Sequence, residues 1–303
     1  MKRALILVAL IACKQDPEKR SEKAVASKDF WPEAPAPTQT SGGPRELHYQ
    51  PANITGYTMT IDVASQPGAA ATISAKMLLA LAFKASTAPT ARDAYMKKID
   101  LDMNAAGQRI AMKLDNDQMS VTQGTDSMTF KRGDHGAIDV GAMIDLPFTT
   151  LDFAHDKIAI KSNLEHPFTS MGGDMLDDAM VLFPDLPEGA VRPGHTWKVA
   201  RTVSVGSNLG KTTVNYDFKY EGDGPCPSGA KACALLSFTA ASKDVTVQHE
   251  GMTIKAAYGF AGKVYLDTVR GIVDESRVHM DMDVDAQGQK LPMAGTFVVK
   301  PNA

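Results

Sequence analysis

Residues 73–83 read Ile73-Ser74-Ala75-Lys76-Met77-Leu78-Leu79-Ala80-Leu81-Ala82-Phe83. Every second residue, from Ile73 through Met77 to Phe83, is apolar, while the intervening set opens with Ser74 and Lys76 and turns apolar from Leu78 onward. A helix collects residues three and four apart on one face, whereas a period of two belongs to a strand, whose successive side chains point to opposite sides. This stretch is a strand with one face for a core and a second face that is apolar over part of its length.

The same period continues on both sides. Tyr57, Met59, Ile61 and Val63 alternate with Thr58, Thr60 and Asp62, and Ile99, Leu101 and Met103 oppose Asp100, Asp102 and Asn104. Ile110, Met112 and Leu114 follow, then Met119 and Val121, then Met128 and Phe130. Turn residues separate these runs at Ala105-Ala106-Gly107, Asp115-Asn116-Asp117 and Gly133-Asp134-His135-Gly136, which is the pattern of an antiparallel meander. Downstream, Val214, Tyr216, Phe218 and Tyr220 alternate with Asn215, Asp217 and Lys219, and further strands are expected at 235–241, 245–249, 253–258, 263–267, 273–284 and 293–299. The whole predicts about twelve to fourteen strands without an exact repeat.

One segment departs from this period. Residues 170–183 place Leu176, Ala179, Met180 and Phe183 at helical spacing, opposite Asp174, Asp177 and Asp178, with Ser170 to cap the start and Pro184 to end it. The expected fold is therefore mainly β: an antiparallel meander forming a large curved sheet or half-open barrel, with this mid-chain helix packed on it. The β-rich body spans 51–303, in strand groups 51–165 and 191–303 joined by the helix.

The N-terminus has a different character. Lys2 and Arg3 precede an apolar run from Ala4 to Ala12, too short to span a bilayer, which takes roughly 20 residues. From Lys14 to about Gln50, mixed charges give way to Pro32, Pro35 and Pro37 and then to small polar residues. Such composition predicts a disordered tether with a random-coil reach on the order of 35 Å. Phe30-Trp31 interrupts it, either as a docking pair or as a solvated or interfacial aromatic.

Composition limits the functional classes. At 303 residues, 44% hydrophobic, the chain can form one large domain or two small ones. A formal net charge of −3, which becomes −5 once Lys2 and Arg3 are removed, offers no attraction for nucleic acid. Of three cysteines, Cys226 and Cys233 flank a Pro-Ser-Gly turn. A disulfide closing this hairpin tip is expected in an oxidising compartment; a metal or redox pair is the rival, against which the spacing and the lack of a nearby His both count.

Two resemblances follow from particular residues. Leu10-Ile11-Ala12-Cys13 resembles the lipobox of bacterial lipoproteins, which implies that 1–12 is a cleaved signal peptide and that lipidated Cys13 anchors the chain in a membrane of the cell envelope. Lys14, rather than Asp, follows it, which implies the outer membrane where a host has two. The stretch Pro184-Asp185-Leu186-Pro187, followed by Val191, Gly194 and Trp197 at Val-x-x-Gly-x-x-Trp spacing, is similar to a segment of uncharacterised bacterial envelope lipoproteins. The run from Gly262 through Leu266-Asp267 to Gly271 fits the same pattern. More distantly, the expected architecture resembles half-barrels that carry lipids or lipoproteins.

Catalytic signatures are lacking. Gly206-Ser207-Asn208-Leu209-Gly210-Lys211-Thr212 is one residue short of a phosphate-binding loop and precedes a strand where phosphate binding needs a helix, so it reads as a hairpin turn. The histidines (His48, His135, His155, His166, His195, His249 and His279) show no metal-ligand spacing and read as surface or turn residues. Asp281, Asp283 and Asp285 share one face of a strand, as a half-solvated sheet produces without any cation. No cofactor, metal or catalytic residue is expected. The leading expectation is a carrier whose concave face holds lipid or another hydrophobic ligand, lined by Met77, Leu79, Leu81, Leu176, Met180 and Phe183. The alternative is a structural or assembly protein of the envelope that acts through contacts with another protein.

Overall fold

The computed structural model describes residues 43–134, 138–154, 158–167, 182–204, 211–230, 232–242, 245–249, 252–286 and 288–302. The first strand group folds as a meander of β2 (Gly56–Ser65), β3 (Ile73–Ala85), β4 (Ala91–Ala105), β5 (Gln108–Leu114), β6 (Gln118–Gln123) and β7 (Asp126–Lys131). The second contains β11 (Thr196–Ser204), β12 (Lys211–Gly224), β13 (Cys233–Ser242), β14 (Val245–His249), β15 (Met252–Asp267), β16 (Ile272–Ala286), β17 (Gln289–Lys290) and β18 (Met293–Pro301). The last strand pairs with the first long one, Phe297 opposite Ile61, and this ladder welds the two groups into a single antiparallel sheet. Its path runs β11-β12-β13-β15-β16-β18-β2-β3-β4-β5-β6-β7, and four short strands at its margins bring the total among the described residues to sixteen. The sheet is not closed: β11 and β7 are its two ends.

Bulges bend the sheet and reset its alternation. Where β3 pairs β4 the register shifts between Ala80 and Leu81, so Met96 and Ile99 both reach the same face although they are three positions apart. Beyond this bulge the start of β4 takes a new partner, β8 (Thr149–Asp152), which pairs in turn with β9 (Ala159–Ser162).

The described parts of the connection between the two groups pack against the apolar core of one face. They include α1 (Val140–Asp145), a six-residue helix that the sequence reading missed. Asp139 caps it by accepting a hydrogen bond from Ala142 N at 2.9 Å, and Val140, Met143 and Ile144 are buried. The expected helix at 170–183 lies outside the described residues as far as position 181. Phe183 is described and sits in a turn, fully buried, where its ring meets those of Tyr49, Tyr57, Phe83 and Phe153 edge-on at 5.2–5.9 Å.

The expected tether is shortened at its far end. Residues 45–50 belong to the body: β1 (Arg45–Glu46) pairs with β10 (Ala190–Val191), Leu47 is buried, and Tyr49 Oη donates to Pro184 O at 2.8 Å. Two apolar side chains, Leu47 and Tyr49, supply the burial that the polar composition around them conceals.

Candidate functional site

In an antiparallel sheet, residues directly opposite each other share a face, so the ladders assign every strand residue to one side or the other. One row crosses all twelve strands of the path: Trp197, Phe218, Phe238, Gly262, Val278, Phe297, Ile61, Met77, Leu101, Met112, Val121, Met128. It contains no polar side chain. At Gly262 a Cβ would lie 2.1 Å from the Phe238 ring, so the glycine makes room for that ring and the row has no gap.

The flanking rows on this face are nearly as apolar. From Leu236 through Val264, Ser276, Val299, Met59, Leu79, Ile99, Leu114 and Met119 to Phe130, Ser276 is the one polar residue. On the opposite face the matching row reads Lys198, Asp217, Thr239, Ala261, His279, Thr296, Asp62, Lys76, Asp102. The methionines follow the same division: Met59, Met77, Met96, Met103, Met112, Met119, Met128, Met280, Met282 and Met293, the strand methionines whose side chains are described, all lie on the apolar face.

Burial of this face is graded. The row through Leu79, Ile99, Leu114 and Met119 is buried, each residue at 1% exposure, within the core that also takes in α1, Phe148 and Phe183. The all-apolar row is less covered: Met77, Leu101, Met112, Val121 and Phe297 are half-buried and Met128 is 38% exposed. Methionine suits such a surface because its unbranched, polarisable side chain adapts to varied apolar partners.

The residues expected from sequence divide accordingly. Met77 lies on the half-covered row, while Leu79, Leu81 and Phe183 are core, and Phe183 packs from a turn, not from a ligand-facing helix. Leu176, Met180 and Cys13 lie outside the described residues. Sequence reading placed Leu101, Met112 and Val121 on alternating strands but not in the site, and missed Phe297, because the ladder that links β18 to β2 joins segments more than 200 residues apart.

Other sequence features have structural roles. Cys226 and Cys233 are joined as a disulfide at the tip between β12 and β13, with Cα atoms 5.1 Å apart. With Asp274 they form the one three-member group of metal-ligating side chains among the described residues, yet each sulfur already holds the other. Asp274 accepts from Ser228 N and Arg270 Nη2, both at 3.0 Å. The Pro184-Asp185-Leu186-Pro187 turn is pinned from β11: Trp197 Nε1 donates to Asp185 O at 3.0 Å, and the buried Asp185 carboxylate accepts from Arg201 and from Ile158 N. The Trp of this segment is thus a latch. His166, expected at the surface or in a turn, closes a turn by donating its N–H to Asn163 O at 3.1 Å, but its ring is buried against Phe148, with Nε2 3.2 Å from Met143 O, and burial lowers its pKa. The strands flanking residues 205–210 pair antiparallel, Ser204 opposite Lys211, as a hairpin requires.

A groove of about 810 Å³ crosses β11, β12, β13 and β15. Its lining includes Lys198, Asp217, Lys219, Ser237, Thr239 and Lys263, all on the polar face, and the apolar-face residues it touches are those between them in sequence. Lys198 pairs with Asp217 at 2.7 Å and Lys219 with Glu221 at 2.6 Å, so these charges neutralise one another. Burial raises the Glu221 pKa, but hydrogen bonds from Lys219 and Ser237 outweigh it and hold the carboxyl below its usual range. The apolar face, not this groove, is the candidate site.

An open antiparallel sheet with one continuous apolar face is the class that fold and site define. No protein-family model matches the chain, and no curated protein matches it. Among solved structures it is similar to lipovitellin, in a structure concerned with lipid–protein interactions, at 10% identity and a TM-score of 0.47, over 84% of this chain and 26% of that one. A protein with unknown function of the DUF3598 family from Nostoc punctiforme aligns at 6% identity and a TM-score of 0.11, over 82% and 96%. The chain thus spans about a quarter of the lipovitellin chain. At these scores neither likeness bears on function.

Proposed function

We propose that this chain is an envelope lipoprotein, anchored through lipidated Cys13, whose β body binds a lipid or another hydrophobic ligand on the apolar face of its sheet. The observation that carries the reading is the row from Trp197 to Met128, apolar on every strand yet half-covered from Met77 to Val121. A closed core would bury such a row fully, since each exposed methylene forgoes about 0.8 kcal/mol of burial. The half-covered stretch from Met77 to Met128 crosses five strands, about 19 Å at the usual inter-strand spacing, while Phe218, Phe238, Val278 and Ile61 of the same row are buried.

The test exports residues 14–303 through a cleavable leader and measures uptake of a fluorescent fatty acid, together with the native mass. The expected result is saturable uptake and a mass excess matching a lipid, both reduced at least about tenfold by Met112→Lys, which sets a charge on the open row. A clean mass with no uptake would defeat the reading.

A further inference from the structure

One end of the sheet is β7, and among the described residues no strand pairs with its outer edge. Arg132 N donates inward to Asp117 O at 2.7 Å. By the alternation of an antiparallel ladder, the backbone groups of Asp126, Met128 and Phe130 also face β6, and those of Ser127, Thr129 and Lys131 face outward. Lys131 is partly engaged by its own turn, its N–H 3.3 Å from the Asp134 carboxylate and its carbonyl taking Asp134 N at 3.1 Å. The outward groups of Ser127 and Thr129 meet no described partner. Unpaired edges of this kind invite a further strand.

We propose that β7 is a homodimerisation edge, which pairs antiparallel with β7 of a second copy about a two-fold axis through Thr129. Two constraints select this register. Outward-facing backbone groups must meet outward-facing ones, and the apolar faces of the two copies must lie on the same side. Among registers that satisfy both, centring on Thr129 spans all three outward residues: Thr129 meets its own copy, and Ser127 lies opposite the partner's Lys131, whose exposed turn contacts with Asp134 open to admit it.

The side chains fit the register that the backbone selects. Met128, exposed in one chain, comes to lie beside the partner's Phe130 on the apolar face, and the reciprocal pair forms across the axis. Outside these, Asp126 lies opposite the partner's Arg132. Arg132 already meets Asp145 at 2.5 Å on an exposed surface, and its guanidinium has donors to spare for a second carboxylate. The contact is isologous, with two apolar pairs flanked by two ion pairs, so the assembly stops at two copies. It extends the apolar row from one chain into the next. Strand pairing this short buries little area, so the dimer is weak and concentration-dependent.

The test is light scattering on the full chain in mild detergent across a concentration series, with circular dichroism as a folding control. The expected result is a monomer–dimer equilibrium. Asp126→Arg should weaken it by about tenfold or more, because the axis repeats the clash, and adding Arg132→Asp should restore it. Thr129→Pro removes an outward N–H without touching the β6 ladder and should leave monomers. A monomer at every concentration, a dimer indifferent to these changes, or oligomers that grow past two through pairing of β7 with β11 would overturn the proposal.

Discussion

The region around Phe183 and the flank from Met77 to Met128 lie on the same face of the same sheet, and their strands carry the same alternation. They end up in opposite states. Around Phe183, five aromatic rings from four separate stretches of chain interlock, and Tyr57 Oη reaches Val273 O at 3.0 Å across the interior. Burial there raises the Tyr57 pKa, so the phenol stays neutral. Toward β7 the same face is covered only in part, by a six-residue helix, and methionines replace aromatics. Alternation therefore says which side a residue faces; what covers that side depends on the connection folded over it.

If the contrast is sound, the largest effect comes from breaking the packed region. Phe183→Ala should lower the unfolding free energy by about 3–5 kcal/mol, measured by denaturant titration, since four ring contacts are lost to a cavity. A loss under about 1 kcal/mol would mean that the ring cluster is loose and the two regions alike.

Removing the disulfide with Cys226→Ser and Cys233→Ser should cost roughly 2–3 kcal/mol, because the loop it closes spans only seven residues. Ligand uptake should be unchanged, since the tip lies away from the open row. On that row the order reverses: Met112→Lys should shift stability by less than about 1 kcal/mol while it removes uptake, because the lysine stem still packs and its head reaches water.

The smallest effect is one of pH. Burial raises the pKa of Asp267, but N–H groups of Val269 and Arg270 and the Arg270 guanidinium outweigh it, so the carboxyl titrates below its usual range. A depressed folded pKa gives stability that is complete above the unfolded value of about 3.9 and is lost as pH falls through the folded one. The stability difference between the parent and Asp267→Asn should accordingly be constant near neutrality and shrink below about pH 4. A difference that stays constant into acid would mean the carboxylate is not selectively stabilised in the fold.

By itself the sequence determined most of the strands, their two-faced character, the hairpin at Cys226 and Cys233, and an antiparallel meander, but not whether its sheet closes. Each is local: a period of two and a turn residue act within a few positions. It also suggested Met77 as part of the site, because Met77 lies in the most apolar strand. The tertiary structure alone decided that β18 pairs with β2, that Phe183 packs into the covered part of the apolar face while α1 covers only part of the flank toward β7, and that Met77, Leu101, Met112 and Val121 form a single half-open row. The first rests on pairing between segments far apart in the chain; the row rests on three successive hairpin ladders, in which a shift of one residue would send every side chain of a strand to the other face. No local pattern encodes the pairing of β18 with β2; packing across the whole sheet does.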